Sequence, residues 1–367
     1  MRLFRPRQVT GSQRDHIVAW GMAAPALLAL LAFVVAPLLL GSYWSLTDKR
    51  LISPLPTQFI GLDNYTTLFG LDLVSQSPER DPATGQVVID ESGAVVYPPL
   101  RAILRAEPRF KGYQEWFRVD IGGQRHIIVA RDPTFMHALV NTAVFVLVIV
   151  PVQGGLALLL ALLVHQRIRG VRAYRSIYFA PVVTSMAVMA VLWTFLYNPG
   201  AGLINRFIET VTFGLSKGVP WLQDPSTSLL AIIILSVWQA VGFQMVIFLA
   251  GLQGISEELY DAAKVDGANK RARFWHVTRP GLRNTFVFVI VMTTILAFRL
   301  FTQVDVMTKG GPRDSTVTLV FEAVQAGFRE QRIGYASAIV VAFFLIVLVI
   351  ALVQRVLLRT ERAVSDS

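Results

Sequence analysis

The chain has 367 residues, of which 54% are hydrophobic and 16% are charged, and its mean hydropathy is +0.53. A single soluble core would not need so apolar a composition, so we predict a polytopic protein of the lipid bilayer. The net charge of +10 would suit a nucleic-acid-binding protein, but the basic residues cluster at the ends of apolar runs, so no nucleic-acid partner is predicted. The absence of cysteine excludes structural disulfides, thiolate metal sites and a cysteine nucleophile.

The N-terminal tail, residues 1–16, is rich in arginine and is predicted to lie in the cytoplasm. A first transmembrane helix is predicted over residues 17–47, because this uncharged run exceeds the roughly 20 residues that cross hydrocarbon. The run is also too long for the core of a signal peptide, so we expect the helix to be retained.

The next segment, residues 48–136, is polar and is predicted to be an extracytoplasmic loop. It contains a small α+β insert at about residues 75–130, with too little apolar content to fold well on its own. The predicted elements of the insert are a hairpin of residues 86–90 and 94–97 with Ser92 at its tip, a short helix over residues 100–106, and a hairpin of residues 118–121 and 124–130.

Basic and aromatic side chains alternate in this insert, and they suit a surface that anchors a protein partner. The alternative is that the aromatic rings form the core of a solvated decoration. The basic residues are Arg101, Arg105, Arg109, Lys111, Arg118 and Arg125, and the aromatic residues are Tyr113, Trp116 and Phe117.

Residues 137–358 are predicted to form a core with five further transmembrane helices. These helices are predicted over residues 137–165, 178–197, 229–252, 285–301 and 335–358. The loop after the second helix carries Arg167, Arg169, Arg172 and Arg175 and no acid, which places it in the cytoplasm. We therefore predict an all-α polytopic protein with six transmembrane helices and a cytoplasmic C-terminal tail over residues 359–367.

A charged island, residues 256–283, separates the predicted fourth and fifth spans. Apolar and charged residues over 257–265 follow the period of an amphipathic helix. Asp266-Gly267 then predicts a turn, since Gly tolerates a positive φ, and the chain from Lys270 onward is basic. The pattern predicts a helix, a turn and a second helix at a membrane surface.

The same island resembles the EAA loop of bacterial ABC importer permeases through Asp261-Ala262-Ala263, Asp266-Gly267-Ala268, Phe274, Val277, Pro280 and Leu282. Asp261 stands where that family usually has Glu. The resemblance implies the type I permease core and a loop that couples to a separate ATPase. The coupling residues that it implies are Glu257, Glu258, Asp261, Ala262, Ala263, Asp266, Gly267, Ala268, Phe274 and Pro280. The alternative is an interfacial amphipathic helix whose charges are incidental.

Further segments resemble carbohydrate-importer permeases of the maltose-permease (MalF-like) type. These segments are residues 59–65, Asp132-Pro133, Asn141-Thr142, Gly310-Gly311-Pro312 and Gly334-Tyr335-Ala336. In that family the first two segments usually lie about a dozen residues apart, whereas here the insert separates them. The maltose permease is similar in carrying a larger insert at this point.

The resemblance implies the permease subunit of an ABC importer for a carbohydrate, such as a maltodextrin-type oligosaccharide. The implied partners are a second homologous permease, two ATPase subunits and an extracytoplasmic solute-binding protein. The sequence contains no G-x-x-x-x-G-K-[ST] motif for nucleotide phosphates. We therefore expect ATP and Mg on the partner ATPase, no cofactor on this chain and no enzymatic activity of its own.

Polar residues inside the spans are candidates for a substrate path, because each costs free energy in lipid and should face a cavity or a partner. The candidates are Asn141, Gln239, Gln244, Thr293, Arg299 and Gln303. For each, the alternative is a helix–helix hydrogen bond or interfacial snorkelling. The five histidines show no metal-ligand spacing, and no catalytic arrangement of side chains is apparent, so no metal site is predicted.

Three other functions remain open. A glycerol-phosphate importer permease fits the same pattern, and Arg299 is the one intramembrane cation that an anionic substrate would favour. An ion-coupled secondary carrier would want acidic residues near the midplane and inverted repeats, and the sequence has neither. An intramembrane enzyme would need buried carboxylates or histidines at the lipid interface, and the predicted spans contain no carboxylate.

Overall fold

The computed structural model describes residues 13–91, 93–166, 170–215 and 218–357. The predicted C-terminal tail and most of the N-terminal tail lie outside these ranges, as do Arg167, Arg169 and Ser92. The first apolar run forms α1 (Gln13–Leu30), a π-helical turn (Leu31–Val35) and α2 (Ala36–Trp44) without interruption. The helix therefore continues past Pro25.

The polar segment that follows contains α3 (Asp63–Leu68) and a three-stranded antiparallel sheet. Its strands are β1 (Leu71–Gln76), β2 (Gln114–Ile121) and β3 (Gln124–Ala130), with β3 in the centre, and α4 (Leu100–Ala106) precedes β2. The helix over residues 100–106 and the hairpin of β2 and β3 confirm two predictions. The sequence analysis missed β1, which pairs with β3 from Leu71 opposite Ala130.

The predicted hairpin of residues 86–90 and 94–97 is short: Ile89 and Val95 form an isolated bridge, and the Val96 N–H donates across the hairpin to Val88 O (2.9 Å). The sheet buries a small core against α4. This core contains Val74, Phe110, Ile127 and Val129, with Leu100, Ile103, Leu104 and Tyr113 packed around it. The described residues of 86–97 supply no buried side chain to that core, so they add little to its stability.

The remaining chain is helical. Its elements are α5 (Pro133–His165), α6 (Val171–Val183), α7 (Met186–Leu196), α8 (Leu203–Val211), α9 (Pro225–Gln253), α10 (Glu257–Val265), α11 (Lys270–Arg273), α12 (Arg279–Gly281), α13 (Arg283–Phe298), α14 (Thr302–Met307), α15 (Leu319–Val324) and α16 (Ile333–Leu357). Two further π-helical turns cover Phe274–Thr278 and Gln325–Arg329.

Within the described residues, four helices are long and apolar enough to cross a membrane: Val18–Trp44, α5, α9 and α16. Two further pairs of helices pass the same test but are bent, by 99° between α6 and α7 and by 65° between residues 270–281 and α13. Length and composition thus allow four spans, or up to six if each bent pair is one span.

The sequence predicts a single span over residues 178–197, whereas the structure has a bend between α6 and α7. Pro181 lies near the end of α6, where its ring removes a backbone donor and crowds the preceding turn. The chain leaves helical geometry at Thr184 and Ser185, whose ψ angles are 140° and 133°. The third predicted helix is therefore two helices that meet at an angle.

The helical core forms where α9 packs against α5, α6 and α13. Gly242 of α9 permits the closest approach, because a Cβ built there would overlap the carbonyl oxygen of Tyr178 in α6. Phe145, Ile232 and Leu235 are among the residues buried between these helices. The outward surfaces are apolar as well, as at Leu147, whose side chain is 73% exposed, and such a surface suits contact with lipid.

Candidate functional site

The charged island forms a helix that is capped at both ends. Ser256 Oγ accepts a hydrogen bond from the N–H of Glu258 at the start of α10. At the other end the N–H of Gly267 donates to Lys264 O (3.0 Å) and the N–H of Ala268 donates to Ala263 O (2.9 Å), which is a Schellman motif. Gly267 has φ +76°, a conformation that favours glycine. The turn predicted at Asp266-Gly267 is therefore present, and it closes the C-terminal end of α10.

The second half of the island is also capped and is tied back to α10. Asn269 Oδ1 accepts from the N–H of Ala272 (2.8 Å) at the start of α11. Tyr260 in α10 and Thr278 in the following π-helical turn share a hydroxyl–hydroxyl hydrogen bond of 3.0 Å. This bond links the two halves of the island across the turn.

The apolar face of α10 points away from the rest of the chain. Leu259 is 55% exposed and Val265 is 89% exposed, and Ala262 between them is exposed as well. Asp261 Oδ1 lies 2.7 Å from Lys264 Nζ, an exposed pair that contributes only about 0.3–0.5 kcal/mol. An apolar stripe flanked by such weakly held charges is suited to binding another protein.

The remaining predicted coupling residues differ in exposure. Among them Glu257, Glu258, Asp266, Gly267 and Pro280 are exposed, and Ala263, Ala268 and Phe274 are half-buried. A groove of about 690 Å³ separates α10 from the ends of α5 and α9, and its lining includes His165, Leu252 and Arg273.

A second feature is a cavity of about 240 Å³ enclosed chiefly by α5, α9 and α13. Five of the six predicted substrate-path residues line it, namely Gln239, Gln244, Thr293, Arg299 and Gln303. Gln153 and Ser236 line it too and were missed by the sequence analysis. Gln153 could have been found by the same criterion, since it is an amide inside an apolar run.

The amide groups around this cavity are only partly satisfied. Gln244 Nε2 donates to Thr293 Oγ1 (2.5 Å), which donates to Val289 O (2.6 Å). Gln303 Nε2 donates to Ser236 Oγ (3.3 Å). The buried Oε1 of Gln244 has no hydrogen-bond partner in the part of the chain that the structure describes. A buried acceptor without a partner costs free energy, so this atom favours a donor from a ligand or water.

Arg299 lies at the C-terminal end of α13, at the edge of this cavity. Its side chain is exposed, and no described residue forms an ion pair or a side-chain hydrogen bond with it. It also lines a larger apolar groove of about 680 Å³ between α2, α15 and α16. The guanidinium is therefore free to meet an anion or a partner.

Asn141 does not reach the cavity. Its Nδ2 donates to the carbonyl oxygens of Asp314 (2.8 Å) and Val317 (3.0 Å) and so joins α5 to the loop before α15. Asn141 therefore joins two segments of the chain, whereas the other five candidates line the cavity.

Asn141 belongs to a set of contacts between distant segments, which we name the long-range cluster. Its members are Thr47, Asn64, Asp132, Asn141, Gly334 and Tyr335. Asn64 Nδ2 donates to Thr47 O (3.0 Å), Gly334 N–H donates to Lys49 O (2.8 Å), and Tyr335 Oη donates to Asp132. Most of the segments that resemble the maltose-permease type therefore meet in space.

The sheet carries a polar groove of about 1010 Å³ beside α4. Three of the predicted basic residues are ion-paired, namely Arg109 with Glu107, Arg118 with Glu115 and Arg125 with Asp120. The hydrogen bond from Arg125 lowers the pKa of Asp120 below its usual value. Arg101, Arg105 and Lys111 line the groove without an ion-pair partner among the described residues.

No group of three or more His, Asp or Glu side chains with the geometry of a metal site occurs among the described residues.

Comparison with known proteins identifies the family. The family described as "Binding-protein-dependent transport system inner membrane component" matches residues 153–362. The probable ABC transporter permease protein YurN of Bacillus subtilis (strain 168) is 35% identical over 246 residues, which cover 66% of this chain and 83% of that protein. The sn-glycerol-3-phosphate transport system permease protein UgpA of Brucella abortus is 31% identical over 253 residues, 66% of this chain and 84% of that protein.

The fold is similar to that of a bacterial alginate ABC transporter crystallised with an alginate pentasaccharide-bound periplasmic protein. The TM-score is 0.70 at 18% identity, and the match covers 98% of this chain and 100% of that chain. The resemblance drawn from the sequence is confirmed. The chain belongs to the binding-protein-dependent transport system inner membrane components and is a multi-pass permease subunit of an ABC transporter.

Proposed function

We propose that this chain is one of two permease subunits of an ATP-driven importer for a carbohydrate, an oligosaccharide such as a maltodextrin-type sugar. The observation that carries the proposal is the cavity lined by Gln153, Gln239, Gln244 and Gln303 near the midpoints of α5 and α9. Neutral amides offer both donors and acceptors, as sugar hydroxyls require. The alginate transporter of similar fold is described as an importer of an acidic polysaccharide, which supports a saccharide substrate.

Six spans with both termini in the cytoplasm form the proposed topology, in which each bent pair counts as one span. The basic linker after α5 and the basic island after α9 then both face the cytoplasm, as the positive-inside rule requires. The segment from β1 to β3 consequently lies outside the cell membrane, as a small α+β domain between the first two spans.

Coupling to ATP hydrolysis is assigned to α10. Its exposed apolar stripe of Leu259, Ala262 and Val265 would enter a groove of a separate ATPase subunit, which carries ATP and Mg. The bond between Tyr260 and Thr278 would transmit a rigid displacement to α13, because the second half of the island leads directly into that helix. This chain itself is not an enzyme in this scheme.

The test of the carbohydrate path uses the complete transporter, with its second permease, two ATPases and binding protein, in proteoliposomes. Gln244→Leu removes the buried amide beside the cavity, and we expect ATP-driven uptake of labelled oligosaccharide to fall about tenfold, since a lost buried hydrogen bond costs about 1–2 kcal/mol. Thr194→Val is the matched control, because Thr194 Oγ1 bonds only Ala190 O of its own helix. Equal uptake by both variants would contradict a path through this cavity.

A glycerol-phosphate substrate is the second candidate, and two observations favour it. Arg299 has no anionic partner in the described chain, and relatives named for sn-glycerol-3-phosphate transport are about one third identical. If the substrate carries phosphate, Arg299→Gln should lower its uptake about tenfold or more while Arg299→Lys retains part of it, because the lost ion contact is worth more than 1.4 kcal/mol. Uptake of a neutral sugar that is indifferent to both changes would favour the carbohydrate.

The extracytoplasmic sheet is proposed to dock the binding protein through Arg101, Arg105 and Lys111. Neutralising all three to Gln should remove most of the stimulation of ATPase activity by the liganded binding protein, while basal activity and assembly remain. The matched control is the triple variant Arg50→Gln, Arg80→Gln and Arg206→Gln, which removes the same charge from exposed positions outside the groove. Full stimulation in the groove variant would leave the sheet as a solvated decoration.

A further inference from the structure

The second half of the charged island carries a basic face that none of the contacts described above uses. Arg271, Trp275, Arg279 and Arg283 are all exposed. Arg279 lies over the ring of Trp275, with 5.0 Å between the guanidinium carbon and the ring centroid. Trp275 in turn meets Phe274 edge to face, with 5.7 Å between ring centroids. We name Arg271, Trp275, Arg279 and Arg283 the basic–aromatic face.

All the charged residues of this face are positive. The sequence contains no acidic residue between Asp266 and Asp305. None of the three arginines forms an ion pair within the described ranges. Thr278 of the same segment is buried and bonded to Tyr260, whereas the three arginines are exposed, so the segment turns Thr278 towards α10 and the arginines towards its surroundings.

The position of the face relative to the bilayer indicates what it meets. Residues 270–281 run at 65° to α13, so this segment lies close to the membrane plane if α13 crosses the bilayer. Trp275, 47% exposed among the arginines, has the amphipathic ring that settles at headgroup level. Clusters of Lys and Arg immediately cytoplasmic of a transmembrane helix attract anionic lipid.

We propose that the basic–aromatic face is a binding site for the headgroups of anionic phospholipids of the cytoplasmic leaflet. The lipid phosphate would accept hydrogen bonds from Arg271, Arg279 and Arg283, and the Trp275 ring would lie at the boundary of headgroups and acyl chains. This inference rests on the proposed placement of the island in the cytoplasm. A bound lipid would hold the segment between α10 and α13 at the membrane surface, and so the coupling movement would depend on lipid charge.

The experiment compares two triple variants of the complete transporter complex. The first changes Arg271, Arg279 and Arg283 to Gln, and the second changes them to Lys, which keeps the charge. Phosphatidylglycerol retained by the purified complex is counted by native mass spectrometry, and ATPase activity is followed as its fraction in phosphatidylcholine nanodiscs rises. Each neutralised arginine should weaken lipid binding about fivefold, or about a hundredfold for all three, while the Lys variant keeps most of the binding.

The matched control is Arg50→Gln, Arg80→Gln and Arg206→Gln, which removes three charges elsewhere and should retain the same lipid as the unmodified complex. If the Gln variant retains as much phosphatidylglycerol as this control and responds equally to it, the proposal is overturned and the arginines act only as topology signals. Loss of the ATPase from the Gln variant at unchanged lipid count would instead assign the face to an acidic surface of the ATPase. A fall in lipid count while the ATPase still copurifies would support this inference, whereas an unchanged lipid count with the ATPase still bound would overturn it and leave the proposed coupling role intact.

Discussion

The charged island and the long-range cluster are held by contacts of opposite kinds. In the island, Ser256, Gly267 and Asn269 each bond a backbone group at most a few residues away. In the long-range cluster, Asn64 reaches back to residue 47, and Asn141 reaches forward to residues 314 and 317. The island is thus defined by its own sequence, whereas the cluster exists only when the whole chain has folded.

The two regions also differ in which side chains are available to bind other molecules. The caps of the island are formed between neighbouring residues and engage no apolar side chain, so Leu259 and Val265 stay exposed for a partner. The side-chain amides of the cluster donate to carbonyl oxygens of other segments, and the Tyr335 hydroxyl donates to the Asp132 carboxylate. We therefore expect mutations in the cluster to reduce stability and mutations in the island to reduce coupling at nearly unchanged stability.

The largest expected effect is in the cluster, at Gly334. A Cβ at this position would overlap the carbonyl oxygen of Thr47, and the shift needed would also break the bond from Gly334 N–H to Lys49 O. Gly334→Ala should lower the free energy of unfolding by about 4 kcal/mol, from overpacking and one lost hydrogen bond. Thermal unfolding of the purified complex in detergent measures it. Gly41→Ala is the control, because a Cβ there meets nothing within 4 Å, and an equal loss in both variants would contradict the argument.

A smaller effect with a defined pH window is expected at Glu322 in α15, which lies between the proposed fifth and sixth spans. Burial raises its pKa from 4.5 to about 7, and the negative charges of Asp132, Glu330 and Asp314 add to the rise while Arg332 opposes it. The folded chain therefore keeps the neutral acid where the unfolded chain has already ionised. The free energy of unfolding is therefore highest below pH 4.5 and falls by about 3 kcal/mol as the pH rises from 4.5 to about 7.

Glu322→Gln should abolish that pH dependence and stabilise the protein at and above neutral pH. Unfolding midpoints measured across the same window test it. Glu209→Gln removes the same ionisable group from an exposed position in α8 and should leave the slope intact. If the unfolding midpoint of Glu322→Gln still depends on pH across this window, another group causes the dependence.

The smallest effect on stability is expected in the island, at Gly267. Alanine at φ +76° costs about 1 kcal/mol, because its Cβ crowds the backbone in the left-handed region. Gly267→Ala should barely move the unfolding midpoint, yet it should weaken copurification of the ATPase by distorting the turn between α10 and α11. Gly254→Ala, at φ −81° at the C-terminal end of α9 just before the island, is the control. If Gly267→Ala lost as much stability as Gly334→Ala, or bound the ATPase unchanged, the island and the long-range cluster would not differ in the way argued.

The cavity shows where prediction from sequence stopped. Asn141 and Gln153 are both amides in the apolar run of α5, and the cost of burying an amide in lipid marks both as candidates. Only Gln153 lines the cavity, since the two residues are twelve positions apart, about 18 Å along the helix. Which level of α5 meets the cavity depends on how α9 and α13 pack against it.

The sequence by itself determined the features that depend on neighbouring residues: the apolar runs, the capped helix of residues 257–265, and the turn at Gly267, because caps and turns are formed by residues a few positions apart. It also determined the hairpin of β2 and β3, which closes across two glycines. Only the tertiary structure decided the bend between α6 and α7, the pairing of β1 with β3, and the meeting of Thr47 with Gly334. These arise from contacts between segments far apart in sequence, whose free energy no local pattern records.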